Sequence, residues 1–152
     1  PVGFSGVLGT IVNAIPREVM NKLSDFPYSL PLQGMVNVNY LSHDPHVKQE
    51  YNNDELNTPS VHSKLLFELV KASKEVFSRP IRPACPSYCT MGTGDKVVSP
   101  EAAREYFSTM EKAFSYKEFE GAYHEIQNEV EKYRKPYFDY IKEVFNEVLY
   151  SS

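Results

Sequence analysis

The sequence predicts a helix-rich α/β fold, in which helical segments over residues 1–80 precede a strand, helix, strand, helix succession over residues 81–152. Three observations lead there. Ala84 to Met91 reads as a strand that runs into the glycine-rich turn Gly92-Thr93-Gly94-Asp95. Ser99-Pro100 is a strong helix start, a side-chain cap followed by proline at the first helical position. Ser115 to Glu120 alternates like a second short strand, and a long helical stretch follows it. Alternating strands and helices are the rhythm of a parallel sheet flanked by helices.

In chain order, Val7, Leu8, Ile11 and Val12 form a first apolar stripe. Pro16 then opens a short helix with Val19, Met20 and Leu23 along one side. Ser24 to Pro31 is a loop. His43-Asp44-Pro45 turns into a short helix around Val47 to Tyr51, which Asn52-Asn53-Asp54 breaks. The best helix of this half runs from near Pro59 to Phe77, with Leu65, Leu66, Leu69, Val70 and Phe77 as its apolar face. Past the first strand, the helix that begins at Ser99 carries Ala102, Ala103, Tyr106, Phe107 and Met110. Gly121 to His124 is a turn, and the final helix spans roughly Arg134 to Leu149, with Tyr137, Ile141, Val144, Phe145 and Val148 on one face. Two strands are too few for an independent sheet. An exposed sheet edge is therefore expected, and with it self-association unless another segment covers that edge.

The totals fit one soluble domain: 152 residues, 41% apolar and 24% charged. Eleven Tyr and nine Phe supply large rings for a core, a groove or an acyl-binding wall. The net charge of −4 speaks against nucleic-acid binding, which wants a basic face. No apolar run approaches the ~20 residues of a membrane span. Cys85 and Cys89 are the only cysteines, and four residues apart on a strand they stand roughly 13 Å from each other. That distance forbids a disulfide between them, and their scarcity suits a reducing compartment. No Cys/His cluster has metal-ligand spacing, and no metal or cofactor is implied. The opening Pro1-Val2-Gly3-Phe4 has neither Met nor a basic leader, so the chain is expected to be a piece of something longer.

The chemistry concentrates in two motifs, Gly92-Thr93-Gly94-Asp95 and Glu120-Gly121-Ala122-Tyr123-His124. An Asp just past one strand and a His just past the next set a carboxylate beside an imidazole, where it fixes the tautomer and stabilises the imidazolium. Either residue alone reads more simply as a turn Asp or a loop His. The interval between them holds one helix and one strand, as the order Ser, Asp, His requires when acid and base follow successive strands. Other candidates are weaker. His43 and His46, with Pro45 between them, read as a turn rather than a metal site, and His62 as the polar side of its helix. Glu125, Glu129 and Glu131 beside Lys132 and Arg134 read as a solvated charged face. Ser63, Ser73 and Ser78 lack any motif.

These two motifs resemble those of the monoacylglycerol lipase and lysophospholipase group of serine α/β-hydrolases, whose triad Asp sits in a G-x-x-D turn and whose His sits in E-G-A-Y-H. The group often continues with His-x-x-x-x-Glu, and Glu129 stands where that Glu falls. Leu41-Ser42-His43-Asp44-Pro45 through Asp54 resembles the end of the group's cap. The likeness runs from about residue 7 to the C-terminus. It implies the C-terminal part of an α/β-hydrolase fold, with residues 1–80 as a helical cap and residues 81–152 as the last two parallel strands and their helices. It also implies a parent serine esterase of lipid metabolism that cleaves acyl esters of glycerolipids, with Asp95 and His124 as two members of its catalytic triad. Its location would be cytoplasmic or peripherally membrane-associated. The partners implied are a lipid ester and a missing N-terminal half that supplies the nucleophile and oxyanion hole.

The only near match to a G-x-S-x-G elbow is Gly3-Phe4-Ser5-Gly6-Val7, which ends in Val, follows no strand and lies too close to Asp95. The chain alone is thus expected to be inactive. The residues of the first part, including Val7, Ile11, Met20, Leu23, Phe26 and Leu30, serve as core or as an acyl channel, core being the simpler reading. Rival readings are a carboxylesterase or proline aminopeptidase of the same fold, and a non-catalytic helical interaction module.

Overall fold

A computed structural model describes residues 14–25, 28–33, 37–58, 60–110 and 114–150. The stripe Val7 to Val12, Ser5 and Phe26 lie outside the described residues. The elements are α1 (Arg17–Ser24), β1 (Pro31–Gln33), a 3-10 turn (Val38–Tyr40), α2 (Pro45–Asn53), β2 (Ser60–His62) and α3 (Ser63–Val76). There follow β3 (Ser87–Gly92), α4 (Pro100–Phe107), β4 (Phe114–Phe119), a second 3-10 turn (Ile126–Asn128) and α5 (Glu131–Tyr150).

In the first part, Pro16 stands just ahead of α1, at its N-cap position and without a side-chain capping bond, and not at the first helical position. Asp44 caps α2 by accepting from the His46 amide at 2.9 Å, with Pro45 at the first helical position. The expected helix from Pro59 starts four residues late. Ser60–His62 is instead a strand paired antiparallel with β1, Leu32 opposite Val61. Cross-strand pairing of a β-branched residue outweighs its weaker preference for helix here. Met20 of α1 and Leu66 and Val70 of α3 form a buried cluster, with Ile15, Leu23, Leu32, Val61 and Phe67 packed on it. Leu65 and Leu69, expected on the apolar face, are 63% and 50% exposed. The face that packs on α1 is narrower than the run of leucines suggests.

The second part has a different centre. β3 and β4 pair in parallel, from Ser87 opposite Phe114 to Gly92 opposite Phe119, with α4 as the crossover. The strand begins at Ser87, so Cys85 precedes it, and both cysteines are free thiols. Ser99 caps α4 by accepting from the Ala102 amide at 3.1 Å. Arg104 of α4 grips Glu118 of β4 through Nε and Nη2 at 3.0 and 3.1 Å, a bidentate pair that ties helix to strand. Phe107 stacks on Phe114 and Tyr116. Phe119, Ala122 and Ile126 make the second buried cluster, covered by Tyr133, Tyr137 and Tyr140 of α5.

Helix α5 begins at Glu131, three residues ahead of the expected start, which leaves Pro136 inside it. The amides of Tyr133 and Arg134 both reach the Val130 carbonyl, at 2.9 and 3.0 Å, and hold the first turn ahead of the proline. Phe145 and Val148, expected on the packed face, are exposed. Among the described residues, no helix is long and apolar enough to cross a membrane.

Candidate active site

The loop after β3 and the loop after β4 meet backbone to backbone. The Thr93 amide donates to the Phe119 carbonyl at 3.0 Å and the Gly94 amide to the Ala122 carbonyl at 2.9 Å. In return the Gly121 amide donates to Thr93 Oγ1 at 2.8 Å. Only glycine fits this approach: a Cβ on Gly92 would lie 2.3 Å from the Ala122 carbonyl oxygen. Gly121 has φ +76°, the left-handed region that glycine enters without strain. Two parallel strands thus deliver their following loops side by side, as parallel strands do at their carboxyl ends.

Asp95 and His124 meet across this seam. His124 Nδ1 donates to Asp95 Oδ2 at 2.8 Å. The other carboxylate oxygen, Oδ1, accepts the amides of Val97 at 2.7 Å and Val98 at 3.0 Å. The carboxylate is therefore held by its own turn as well as by the imidazole. Its side chain is 2% exposed, whereas the His124 ring is about one-third exposed. The Asp95 hydrogen bond raises the His124 pKa against an opposing desolvation, with the charges of Asp95 and Glu125 adding to the rise. Because Nδ1 carries the proton that bonds Asp95, the neutral ring presents its lone pair at Nε2. An oriented imidazole with a free basic nitrogen, backed by a buried carboxylate, can take and return a proton.

Glu129 departs from the solvated face expected of it. It is fully buried, 0% exposed, and its carboxylate is the acceptor for donors from two parts of the chain. Oε1 accepts the Tyr123 amide at 2.8 Å and His43 Nδ1 at 2.7 Å. Oε2 accepts the amides of His43 at 3.0 Å and Val130 at 3.2 Å. Burial pushes the Glu129 pKa up, but the amides of Tyr123 and His43 and the His43 ring outweigh it, and the net shift is downward. His43, expected only in a turn, stacks on Tyr123 with centroids 3.7 Å apart and on Tyr133 at 5.0 Å. Lys96, next to Asp95, lies over the Tyr40 ring at 4.7 Å and the Tyr123 ring at 5.7 Å. Nothing local in the sequence joins residue 43 to residue 129. The His-x-x-x-x-Glu spacing was the one signal for Glu129, and none marked His43.

The remaining candidates stay apart from this cluster. His62 Nδ1 lies 3.3 Å from Ser29 Oγ. Ser63 Oγ accepts the Leu30 amide, while Ser73 and Ser78 donate to the carbonyls of Leu69 and Glu75. Among the described residues no group of three His, Cys, Asp or Glu side chains is arranged to hold a metal ion.

The family described as "Serine aminopeptidase, S33" matches residues 4–131. Among solved structures, the monoacylglycerol lipase of Paleococcus ferrophilus superposes with a TM-score of 0.72 at 25% identity, over 84% of this chain and 49% of its own. A soluble variant of monoglyceride lipase from Saccharomyces cerevisiae, in complex with a substrate analog, superposes with a TM-score of 0.68 at 13% identity, over 91% of this chain and 48% of its own. The chain thus spans about half the length of either lipase. No curated protein matches the sequence. The fold is that of an α/β-hydrolase, and the chain belongs to this family of serine hydrolases.

Proposed function

We propose that the full-length protein carrying this chain hydrolyses acyl esters of glycerolipids, a monoacylglycerol or a lysophospholipid. In this reading His124 Nε2 takes the proton of a serine supplied from outside this chain as that oxygen attacks the ester carbonyl. His124 then returns the proton to the glycerol oxygen as the carbon–oxygen bond breaks, and a water repeats the cycle to free the fatty acid. Asp95 holds the ring and stabilises the imidazolium. Residues 1–80 form a cap that admits the acyl chain, and residues 81–152 complete the catalytic sheet. The reading implies no metal or cofactor, and places the protein in the cytoplasm or at a membrane surface.

The observation that carries the reading is the 2.8 Å contact between His124 and a buried, doubly anchored Asp95. The substrate class draws support from the two lipases of like fold, one of them in complex with a substrate analog. A panel of monoacylglycerols, lysophospholipids and aminoacyl arylamides tests it on the full-length protein. Turnover of the glycerolipid esters that is lost in His124→Ala supports it, and hydrolysis of the arylamides alone overturns it. That second outcome is the aminopeptidase reading, which the family's description favours. The 152-residue chain by itself is expected to turn over none of them.

The non-catalytic alternative calls for Asp95 and His124 to lie far apart, and the 2.8 Å contact between them speaks against it. It also predicts that His124→Ala changes no hydrolysis. Among the described residues β3 and β4 each have one hydrogen-bonded neighbour, so an isolated chain is expected to self-associate through the open edges, which light scattering reads directly.

A further inference from the structure

The amides of the two residues on either side of His124 are tied to one short segment of the first part, that of Glu125 directly and that of Tyr123 through Glu129. The Glu125 amide donates to the Leu41 carbonyl at 2.8 Å. The Tyr123 amide, on the other side, donates to Glu129, whose remaining acceptor sites are filled chiefly by the amide and ring of His43. Between them Ser42 Oγ donates to the Asn128 carbonyl at 2.9 Å and accepts the Asp44 amide at 2.9 Å. Leu41 and Ser42 are themselves buried. Asp95 holds the His124 ring, but the backbone that carries the ring is held from the Leu41–His43 segment.

We infer that Glu129 is a positioning residue for His124, and that the Leu41–His43 segment of the proposed cap, acting through Glu129, makes the placement of His124 depend on that cap being seated. This rests on the reading of His124 as the general base. The chemistry of the grip is specific to a carboxylate. Four N–H donors converge on the two oxygens of Glu129, and an acceptor-only group is the one that satisfies them all. An amide in its place turns an N–H toward another N–H. A fully buried carboxylate is costly unless its partners are complete, so the site is stable only while His43 is in place. Withdrawal of the segment would remove the Leu41 carbonyl from Glu125 and, from Glu129, both N–H donors of His43 and the Ser42 hydroxyl at 3.4 Å, freeing both sides of His124.

The test uses Glu129→Gln and His43→Phe in the full-length protein, the latter keeping a ring against Tyr123 and Tyr133 while losing the N–H. Two quantities are read well below the melting temperature: kcat and KM on a glycerolipid ester, and the titration midpoint of the His124 ring by NMR. A loosened ring predicts a kcat lower by roughly a hundredfold with KM little changed, as for a catalytic group displaced by about an ångström. The His124 midpoint is expected to fall toward that of an ordinary histidine as the Asp95 contact slackens. His43→Phe is expected to move both in the same direction by less. A folded variant with lower thermal stability but an unchanged midpoint and kcat overturns the inference, and if Glu129→Gln does not fold, His43→Phe alone decides. Asp95→Asn separates the two levels. If it lowers the midpoint and kcat while Glu129→Gln and His43→Phe do neither, the positioning role fails and the general-base reading stands. If Asp95→Asn changes neither, the general-base reading fails.

Discussion

The α-carbon of Gly92 faces the Ala122 carbonyl so closely that a methyl group there would meet the oxygen at 2.3 Å. This contact lets the loops of Asp95 and His124 touch. Gly92→Ala is expected to cost about 3 kcal/mol, the upper end for overpacking, because both neighbours are backbone and neither can swing away. Urea denaturation measures it. Since the two loops part, activity of the full-length protein falls with it even in the folded fraction.

Asp95→Asn keeps the shape but removes the charge that favours the imidazolium and leaves the ring free to take the wrong tautomer. A loss of about ten-thousandfold in kcat is expected, the scale seen when a triad carboxylate becomes an amide. Steady-state kinetics on the preferred ester measures it.

The two His–carboxylate pairs respond to pH in different ways. The His124 pKa is raised in the folded state, first by its Asp95 hydrogen bond. Protonation is thus favoured by folding, and the pair's contribution to stability is full below the ordinary histidine value of ~6.5 and lost as pH rises through the folded value. Catalysis needs the neutral ring and so runs the opposite way, rising with pH through a kcat/KM midpoint above ~6.5. A midpoint at or below ~6.5 contradicts the geometry.

Glu129 has the reverse sign. Its pKa is lowered on folding despite burial, by the amides of Tyr123 and His43 and the His43 ring. Its contribution is present above the ordinary value of ~4.3 and disappears as pH falls through the folded value. Thermal melts should therefore drop steeply on acidification below that range in the wild type and more gently in Glu129→Gln.

The residues of the proposed cap separate into core and surface by mutation. Met20→Ala is expected to cost about 2–5 kcal/mol, as for other buried methionines, because its side chain is fully enclosed with Leu66 and Val70. Leu65→Ala, on an open face, should stay within about 0.5 kcal/mol. Chemical denaturation of the two variants distinguishes a core methionine from one that lines an acyl channel.

What the sequence disclosed and what it hid divide along the range of the interactions. The meeting of Asp95 with His124, the Ser99 cap and the parallel pair were legible because each is announced by neighbours in the chain: glycines at a turn, Ser before Pro, alternation. Glu129 was misread because a glutamate among lysines and arginines resembles a solvated face, and its burial depends on donors brought from residue 43. The β1–β2 pair was missed for the same reason, since Val61 is a strand residue only when Leu32 lies opposite. The exposed Leu65 and Leu69 show the converse, an apolar pattern to which no packing partner answers among the described residues.

The union of His43 with Glu129 also has a bearing on the order of assembly. It joins positions 86 residues apart, whereas the β3–β4 register joins Ser87 to Phe114. By loop-closure entropy the longer connection costs about 1 kcal/mol more, and it repays that cost only once Ser42, Tyr123 and Val130 are all in reach. The β3–α4–β4 unit is therefore expected to assemble first and the Leu41–His43 segment to dock last. In native-state amide exchange the amides of His43 and Glu125 should then open at a lower free energy than those of β3, so the seam between the two parts is where the native molecule first comes undone.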